Sequence, residues 1–125
     1  MMKIIATEKA PAAIGPYSQA VTINGFLFIS GQLPINPETG VITTGNAKDM
    51  TRQLMNNIGA ILTEAGSSLE KIVKTTIYVT DLALFGEVNQ AYGDFFGDNP
   101  PARSCVQVSS LPKGACIEIE AIAYV

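Results

Sequence analysis

The segment 115–124 alternates between apolar and polar side chains, and no other feature constrains the fold as strongly. Its apolar positions recur at every second residue, and they are Ile117, Ile119, Ala121 and Ala123. Glu118 and Glu120 occupy the positions between them. Because successive side chains of a strand point to opposite faces of a sheet, the segment predicts a strand with one buried face and one polar face.

The preceding segment, 103–109, has the same period of two. Ser104, Val106 and Val108 alternate with a second set, which consists of Arg103, Cys105, Gln107 and Ser109. We expect the two strands to form an antiparallel hairpin around Pro112, with the apolar sets against helices and the polar sets together on the other face. Arg103 then lies across from Glu118 or Glu120, and the pattern permits either register.

This polar face has two interpretations. In the first, it is a solvated surface with a cross-strand ion pair, which contributes about 0–1 kcal/mol to stability and has no function. In the second, it is partly buried, for example against another subunit, and Arg103 is open to a ligand. A guanidinium suits a carboxylate because it donates two parallel charge-assisted hydrogen bonds, and a nearby glutamate can orient water or move protons.

The other elements follow from hydrophobic period and turn residues. We expect a strand at 3–7, a hairpin over 19–32 with an Asn24-Gly25 turn, and a strand at 71–80. Apolar residues at helical spacing predict helices at about 46–65 and 82–96. The order β-β-β-α-β-α-β-β predicts a single α+β domain over 1–125, with one mixed sheet and two helices packed on one face.

Composition narrows the chemistry. The chain has 125 residues, a net charge of −3 and no histidine, which excludes Ser-His-Asp triads, Cys-His pairs and histidine metal sites. The only cysteines, Cys105 and Cys116, are too few for a disulfide framework, and no signal-peptide core is visible, so we expect free thiols and a cytoplasmic protein. The acidic balance argues against nucleic acid, and no apolar run is long enough for a membrane span.

Five further positions are candidates for a site, and most of them have an ordinary structural interpretation as well. Ser30 and Gly31 end a strand, where backbone amides can meet an anion, although an ordinary strand exit explains them too. Tyr17 in the "GPYS" loop is either a pocket cap or a packed aromatic. Asn89 lies in the middle of the second predicted helix, where asparagine has a low helix propensity. Cys105 shares the face of Arg103, and its simplest role is that of a packed thiol.

Six blocks together resemble the RidA (YjgF) family of reactive-intermediate deaminases. They are "AIGPYSQAV", "FLFISGQLPINPETG", "VKTTIYVTDL", "VNQAYGDFF", "PARSCVQVSSLPKGA" and "IEIEAIA". The resemblance runs from about Ile4 to Tyr124. It implies a chorismate-mutase-like fold and a homotrimer whose sheets form a central barrel, with active sites in the clefts between subunits.

The resemblance also implies an activity and its residues. The implied reaction is hydrolysis of 2-iminobutanoate and 2-iminopropanoate, which pyridoxal-phosphate enzymes release, to 2-oxo acids and ammonia, with no metal or organic cofactor. By analogy Arg103 binds the substrate carboxylate and Glu118 activates water. The pocket positions of the family correspond here to Tyr17, Ser30, Gly31, Asn89 and Cys105, and Glu120 matches without an assigned role.

Three departures from the family pattern concern the side-chain preference for the substrate, and one of them, Pro100, concerns a pocket wall. Ala83 stands where a polar residue is common, Gly86 lies in the helix, and Pro100 replaces an aromatic residue. Because matching pocket residues do not separate binding from turnover, the alternative is a non-catalytic trimer that senses a metabolite or binds a protein through the same cleft. Cleavage of RNA is a third interpretation, which the negative charge disfavours.

Overall fold

The computed structural model describes all residues, 1–125, and contains one six-stranded sheet with two α-helices. The strands are β1 Lys3–Ile5, β2 Ala20–Ile23, β3 Phe26–Gln32, β4 Ile72–Val79, β5 Ala102–Gln107 and β6 Ile117–Tyr124. The helices are α1 Ala47–Glu64 and α2 Phe85–Gly93. The element order and the α+β class are those predicted.

The strand order in the sheet is β1-β2-β3-β6-β4-β5. All neighbouring pairs are antiparallel except β4 and β5, which are parallel. The predicted hairpin of the last two strands is therefore wrong, because β6 inserts between β3 and β4 and never pairs with β5. The connection from β4 through α2 to β5 is a βαβ crossover, which requires parallel strands. Alternation in β5 and β6 is compatible with either partner and does not reveal this.

Several strands and helices begin or end where local sequence signals predict. Asn24 and Gly25 both have positive φ, of 52° and 81°, and join β2 to β3 in a two-residue turn. The Asn46 side chain accepts a hydrogen bond from the Asp49 amide at the start of α1. The second helix is shorter than predicted, because the stretch capped by Asp81 is a 3₁₀ turn, Leu82–Leu84, and α2 begins only at Phe85.

The hydrophobic core lies between the helices and one face of the sheet. The alternate residues of β6 that the sequence marked as apolar are all buried there. They meet the apolar side of α1, whose fully buried members are Leu54, Met55, Ile58, Ile61 and Leu62. Burial of each large side chain contributes about 1.5–3 kcal/mol, so this layer fixes the face of every central strand.

The face of β5 is the reverse of the predicted one. Its register pairs Arg103 with Thr75 and Cys105 with Ile77, and both partners in β4 are fully buried toward the helices. Arg103 and Cys105 therefore lie on the helix side of the sheet, whereas Ser104 and Val106 lie on the other side. The strand lies at the sheet edge and is exposed at almost every position. Its sequence alternation therefore does not indicate which set of side chains faces the helices.

No helix covers the opposite face of the sheet, which we call the open face. Phe26, Phe28 and Tyr124 lie there side by side and are 46%, 41% and 45% exposed. Val106 adds a further exposed apolar side chain on β5. The chain thus leaves a broad apolar surface on its sheet. Neither helix has the length and apolar character required to cross a bilayer.

Candidate functional site

A cavity of about 560 Å³ lies beside the junction of β3 and β6. Tyr17, Ser30, Gly31 and Glu118, all predicted as site residues, are among its lining residues. The register of β3 against β6 shifts between Ile29 and Gln32. This bulge lifts Ser30 and Gly31 out of the regular ladder and opens the sheet surface at the point where Glu118 projects.

Glu118 lies directly over Gly31. A Cβ atom added to Gly31 would overlap the Glu118 carboxylate, so only glycine leaves room for that group. Burial, and then the nearby Glu120 charge, raise the pKa of Glu118. The cavity therefore holds a carboxyl group that retains its proton more readily than an exposed glutamate.

Hydrogen bonds fix the wall around this carboxyl group. Ser30 Oγ donates to the Ser18 carbonyl at 2.6 Å. The buried Gln19 side chain accepts from the Thr7 amide at 2.7 Å and donates to the Pro11 carbonyl at 2.7 Å. Gln19 thus secures the loop before β2, whose residues line the cavity, and sequence reasoning did not single it out.

A second cavity, of about 440 Å³, lies at the other end of the predicted residue set. Arg103 and Asn89 line it together with Tyr92, Phe96 and Pro100. Pro100, flagged in the sequence as a departure, does form part of its wall. This cavity is bounded by α2 and the beginning of β5, on the helix side of the sheet.

Arg103 is held in place by α2. Its Nη1 donates to Asn89 Oδ1 at 2.6 Å, and its guanidinium lies 5.3 Å from the Phe85 ring centroid and 5.2 Å from that of Tyr92. The one salt bridge of the chain joins Arg52 to Asp49, so Arg103 has no carboxylate partner. Its remaining N–H donors are free for a planar anion.

The aromatic support of Arg103 was missed as a functional feature. Phe85, Asn89 and Tyr92 are spaced i, i+4, i+7, which places them on one side of α2, and the sequence indicated only an apolar stripe there. Tyr92 and Thr75 share a buried hydrogen bond of 2.7 Å between their hydroxyls. Burial raises the pKa of Tyr92, while the Thr75 bond and the Arg103 charge oppose this rise.

Cys105 lies two residues from Arg103 and packs against the hydrophobic core. Burial raises the pKa of the Cys105 thiol, and the charge of Arg103 offsets part of that effect. The packed, protonated thiol expected from sequence is consistent with this environment.

The structure does not bring Arg103 and Glu118 together. Arg103 projects from the edge strand on the helix side, whereas Glu118 projects from the open face of β6, and β4 lies between their strands. The expected pairing of Arg103 with Glu118 or Glu120 is therefore wrong. One chain carries two incomplete cavities, one with an unpaired cation and the other with a half-buried carboxyl group.

Two further groups near Glu118 were not predicted. Lys113 lines the same cavity and has a positive φ of 58° in the loop between β5 and β6. Tyr78 lies opposite Glu118 in the ladder, and its hydroxyl donates to Glu120 Oε1 at 2.5 Å. That bond, followed by burial, raises the pKa of Tyr78.

The fold defines a class seen in several solved structures. A Rid family protein of Yersinia pestis has a TM-score of 0.97 and 52% identity, and each chain covers 100% of the other. TdcF of E. coli, solved with bound serine, has a TM-score of 0.94 and 45% identity, with 98% of each chain covered.

Sequence relatives and a family model define the membership more narrowly. The model of the Endoribonuclease L-PSP family matches residues 7–125, and the chain belongs to this family, which is the RidA (YjgF) family suspected from sequence. A RutC family protein of Pyrococcus horikoshii is 53% identical, with 99% of this chain and 98% of that protein covered. A 2-iminobutanoate/2-iminopropanoate deaminase of Rattus norvegicus is 46% identical, with 97% and 88% covered.

Proposed function

We propose that the protein is a 2-iminobutanoate/2-iminopropanoate deaminase that works as a homotrimer, with each active site in a cleft between two copies. The observation that carries the proposal is the separation of an unpaired Arg103 from a half-buried Glu118 on opposite sides of one sheet. An imino acid has a carboxylate at one end and an electrophilic carbon beside it, so it needs a cation and a proton-transfer group within a few ångströms. Two adjacent copies can place Arg103 of one chain and Glu118 of the other in the same cleft, which a single chain cannot do.

The roles follow from the chemistry of each cavity. Arg103, oriented by Asn89 and the Phe85 and Tyr92 rings, binds the substrate carboxylate. Glu118, seated above Gly31 and beside Ser30, transfers protons during addition of water to C2 and departure of ammonia. Imines already hydrolyse in water, so orientation and general acid–base help, worth about 10²–10⁴-fold, are sufficient, and no organic cofactor or metal is needed.

The apolar open face supports assembly. Phe26, Phe28 and Tyr124 are too large and too close together to be left in water by a stable monomer of this size. Packing the open faces of three copies around a common axis buries this surface, and the edge strand of one copy then approaches the bulge of the next. The sequence relatives named as deaminases and the TdcF structure with bound serine favour small amino-acid-like ligands.

A coupled assay tests the activity. Threonine dehydratase generates 2-iminobutanoate, and 2-oxobutanoate formation is followed with and without the protein. We expect acceleration by the wild type, and loss of at least about 100-fold in the Arg103→Ala variant, since the carboxylate loses its charge-assisted anchor. Arg52→Ala removes an arginine from an exposed salt bridge and is the matched control, which should stay fully active.

Mixed oligomers test the composite site. Arg103→Ala and Glu118→Gln chains are each inactive on their own in this scheme. After co-refolding at equal amounts, about a quarter of the clefts regain both intact residues if each cleft takes one from each copy, so about a quarter of wild-type activity should return. No recovery from well-formed mixed oligomers would show that both residues act within one chain.

The alternative is a trimer that senses a metabolite or binds a protein through the same cleft. Binding of 2-oxobutanoate by calorimetry, abolished in Arg103→Ala, without any acceleration of imine hydrolysis would favour it. Turnover that requires Arg103 would exclude a purely non-catalytic role.

A further inference from the structure

The Tyr78–Glu120 pair lies on the open face beside Glu118, and the proposed reaction leaves it without a role. Glu118 and Glu120 project from the same face of β6, two residues apart. Tyr78 faces Glu118 across the β4–β6 ladder, and its hydroxyl reaches diagonally to Glu120 Oε1 at 2.5 Å. The phenol thus fixes the Glu120 carboxylate at a constant position close to Glu118.

Two carboxyl groups so placed do not ionise independently. When one carries a negative charge, the other binds its proton more tightly, and partial burial adds to this effect at Glu118. The Tyr78 hydroxyl donates a hydrogen bond to Glu120, whereas Glu118 has no hydrogen-bond partner within the chain. The two carboxyl groups therefore have unequal surroundings, since Glu120 is held by Tyr78 and Glu118 is partly buried.

We propose that Glu120, held by Tyr78 beside Glu118, is a positioning residue whose charge helps Glu118 to act as the proton donor at the start of each catalytic cycle. This inference rests on the proposed deaminase function and assigns a direction to its proton transfers. Glu120 itself does not touch the substrate in this scheme and acts through Glu118.

The proton balance closes with a single carboxyl group. Protonated Glu118 gives its proton to the imine nitrogen, and the resulting carboxylate takes one from the water that adds to C2. The product is a tetrahedral amino alcohol, and Glu118 is again protonated. It then protonates the amino group, ammonia leaves with the C–N bond pair, and Glu118 recovers a proton from the hydroxyl as the C=O bond forms. The sum is imine plus water giving oxo acid plus ammonia.

Other charged or titratable groups face Glu118 and bear on this balance. Lys113 lines the same cavity and Tyr17 forms part of the opposite wall. The pKa of Glu118 is raised by burial and then by Glu120, and Lys113 is not among the charges that shift it. In the proposed cleft the Arg103 charge of the adjoining copy is neutralised by the substrate carboxylate, so it does not favour ionisation of Glu118 in the complex.

The pH dependence of Glu120→Gln tests the proposal. Glutamine preserves the acceptor for Tyr78 and removes only the charge, so the pKa of Glu118 should fall by roughly one unit. Because the protonated form is active, the loss of kcat with rising pH, which reports the enzyme–substrate complex, should begin about one unit lower than in the wild type. The activity of the variant should approach the wild-type value at acidic pH. Glu64→Gln, in an exposed position at the end of α1, should leave the profile unchanged.

Tyr78→Phe removes the hydrogen bond to Glu120 and leaves the Glu120 carboxylate itself unchanged. Glu120 keeps its charge but is free to turn away from Glu118, so we expect a shift in the same direction that is smaller than that of Glu120→Gln. If either variant lowered activity equally at every pH, without moving the midpoint, the pair would be merely structural and the proposal would be wrong.

A measurement without turnover keeps this test distinct from that of the deaminase function. Carbon NMR of protein labelled at the glutamate carboxyl carbon follows the titration of Glu118, which is assigned by the loss of its signal in Glu118→Gln. We expect the Glu118 midpoint to fall in Glu120→Gln and not in Glu64→Gln. An unchanged midpoint would overturn the inference even in an active enzyme, whereas a shifted midpoint in a protein that lacks deaminase activity would reject only the reaction.

Discussion

At the scale of single residues, Gly31 has the most specific task in the first cavity. Its missing side chain is the space that the Glu118 carboxylate occupies, and the bulge in β3 directs that space toward the cavity. Glycine is needed here for close approach and not for an unusual backbone angle, since Gly31 is not among the glycines with positive φ.

Gly31→Ala should therefore separate activity from stability. The Glu118 side chain can turn away from an added methyl group, so we expect a change in unfolding free energy below about 1 kcal/mol. Imine hydrolysis should nevertheless fall by more than about tenfold, because the carboxyl group leaves its seat. Thermal melting and the coupled assay measure the two effects. Gly59→Ala on α1, where an added Cβ meets no atom, is the control and should keep full activity.

Sequence reasoning named candidate site residues, most of which line one of the two cavities, but it did not predict their arrangement. The chemistry of Arg103, Glu118, Ser30 and Gly31 is a property of residue type and motif, so the sequence alone is enough to recognise it. Whether Arg103 faces the helices or the open side depends on which strand pairs with β5, and this choice is made by distant segments. Likewise, the Tyr78–Glu120 bond joins residues 42 positions apart and has no signature in the chain.

At the scale of elements, the sheet and α2 are joined by a buried polar contact. Thr75 of β4 and Tyr92 of α2 are 0% and 3% exposed, and their hydroxyls are 2.7 Å apart. This bond fixes the ring on which the Arg103 guanidinium rests. A residue of the central strand β4 thereby helps to position the guanidinium of Arg103 on the edge strand β5.

A double-mutant cycle should expose this coupling. Thr75→Val leaves the Tyr92 hydroxyl buried without a partner, at a cost of about 1–3 kcal/mol, and Tyr92→Phe leaves Thr75 in the same state. The double variant should be more stable than the sum of the single losses predicts, by about 1 kcal/mol. Chemical denaturation measures all four proteins. Strictly additive losses would show that the bond contributes nothing.

The elements themselves were largely predictable because their signals are local. The positive φ values at Asn24 and Gly25, the Asn46 cap and the buried stripe of α1 all agree with the pattern of the chain. The second helix is shorter than predicted for a local reason that the spacing of its apolar residues does not reveal. Asp81 caps a 3₁₀ turn, and the glycines at both ends of α2, Gly86 and Gly93, weaken continuation of the helix.

At the scale of the whole molecule, the open face is the feature that a single chain does not explain. Phe28 lies in its centre, 41% exposed and flanked by Phe26 in the same strand. The sequence indicated an apolar excess for a domain of this size, but the residues that stay uncovered are defined only by which face the helices occupy.

Phe28→Lys should dissociate the proposed homotrimer while the chain stays folded. Because Phe28 is 41% exposed in the single chain, the substitution removes about 1 kcal/mol of apolar burial per chain on association, and the buried lysine charge adds a desolvation cost. The sedimentation coefficient should therefore fall to that of a monomer at micromolar concentration. Circular dichroism should remain unchanged. Val41→Lys, at an exposed apolar position in a loop away from the sheet, should leave the assembly intact. A monomeric wild type would contradict the prediction at once.

The placement of Arg103 and Glu118 on opposite sides of one sheet also has a consequence for regulation by abundance. If catalysis needs one residue from each of two chains, the output per chain is not constant but rises with the number of copies. Newly made or strongly diluted chains are folded yet idle, and activity appears over a narrow range of expression once subunits associate. Specific activity measured across a dilution series should then decline at low concentration in step with dissociation, and recover on concentrating the sample.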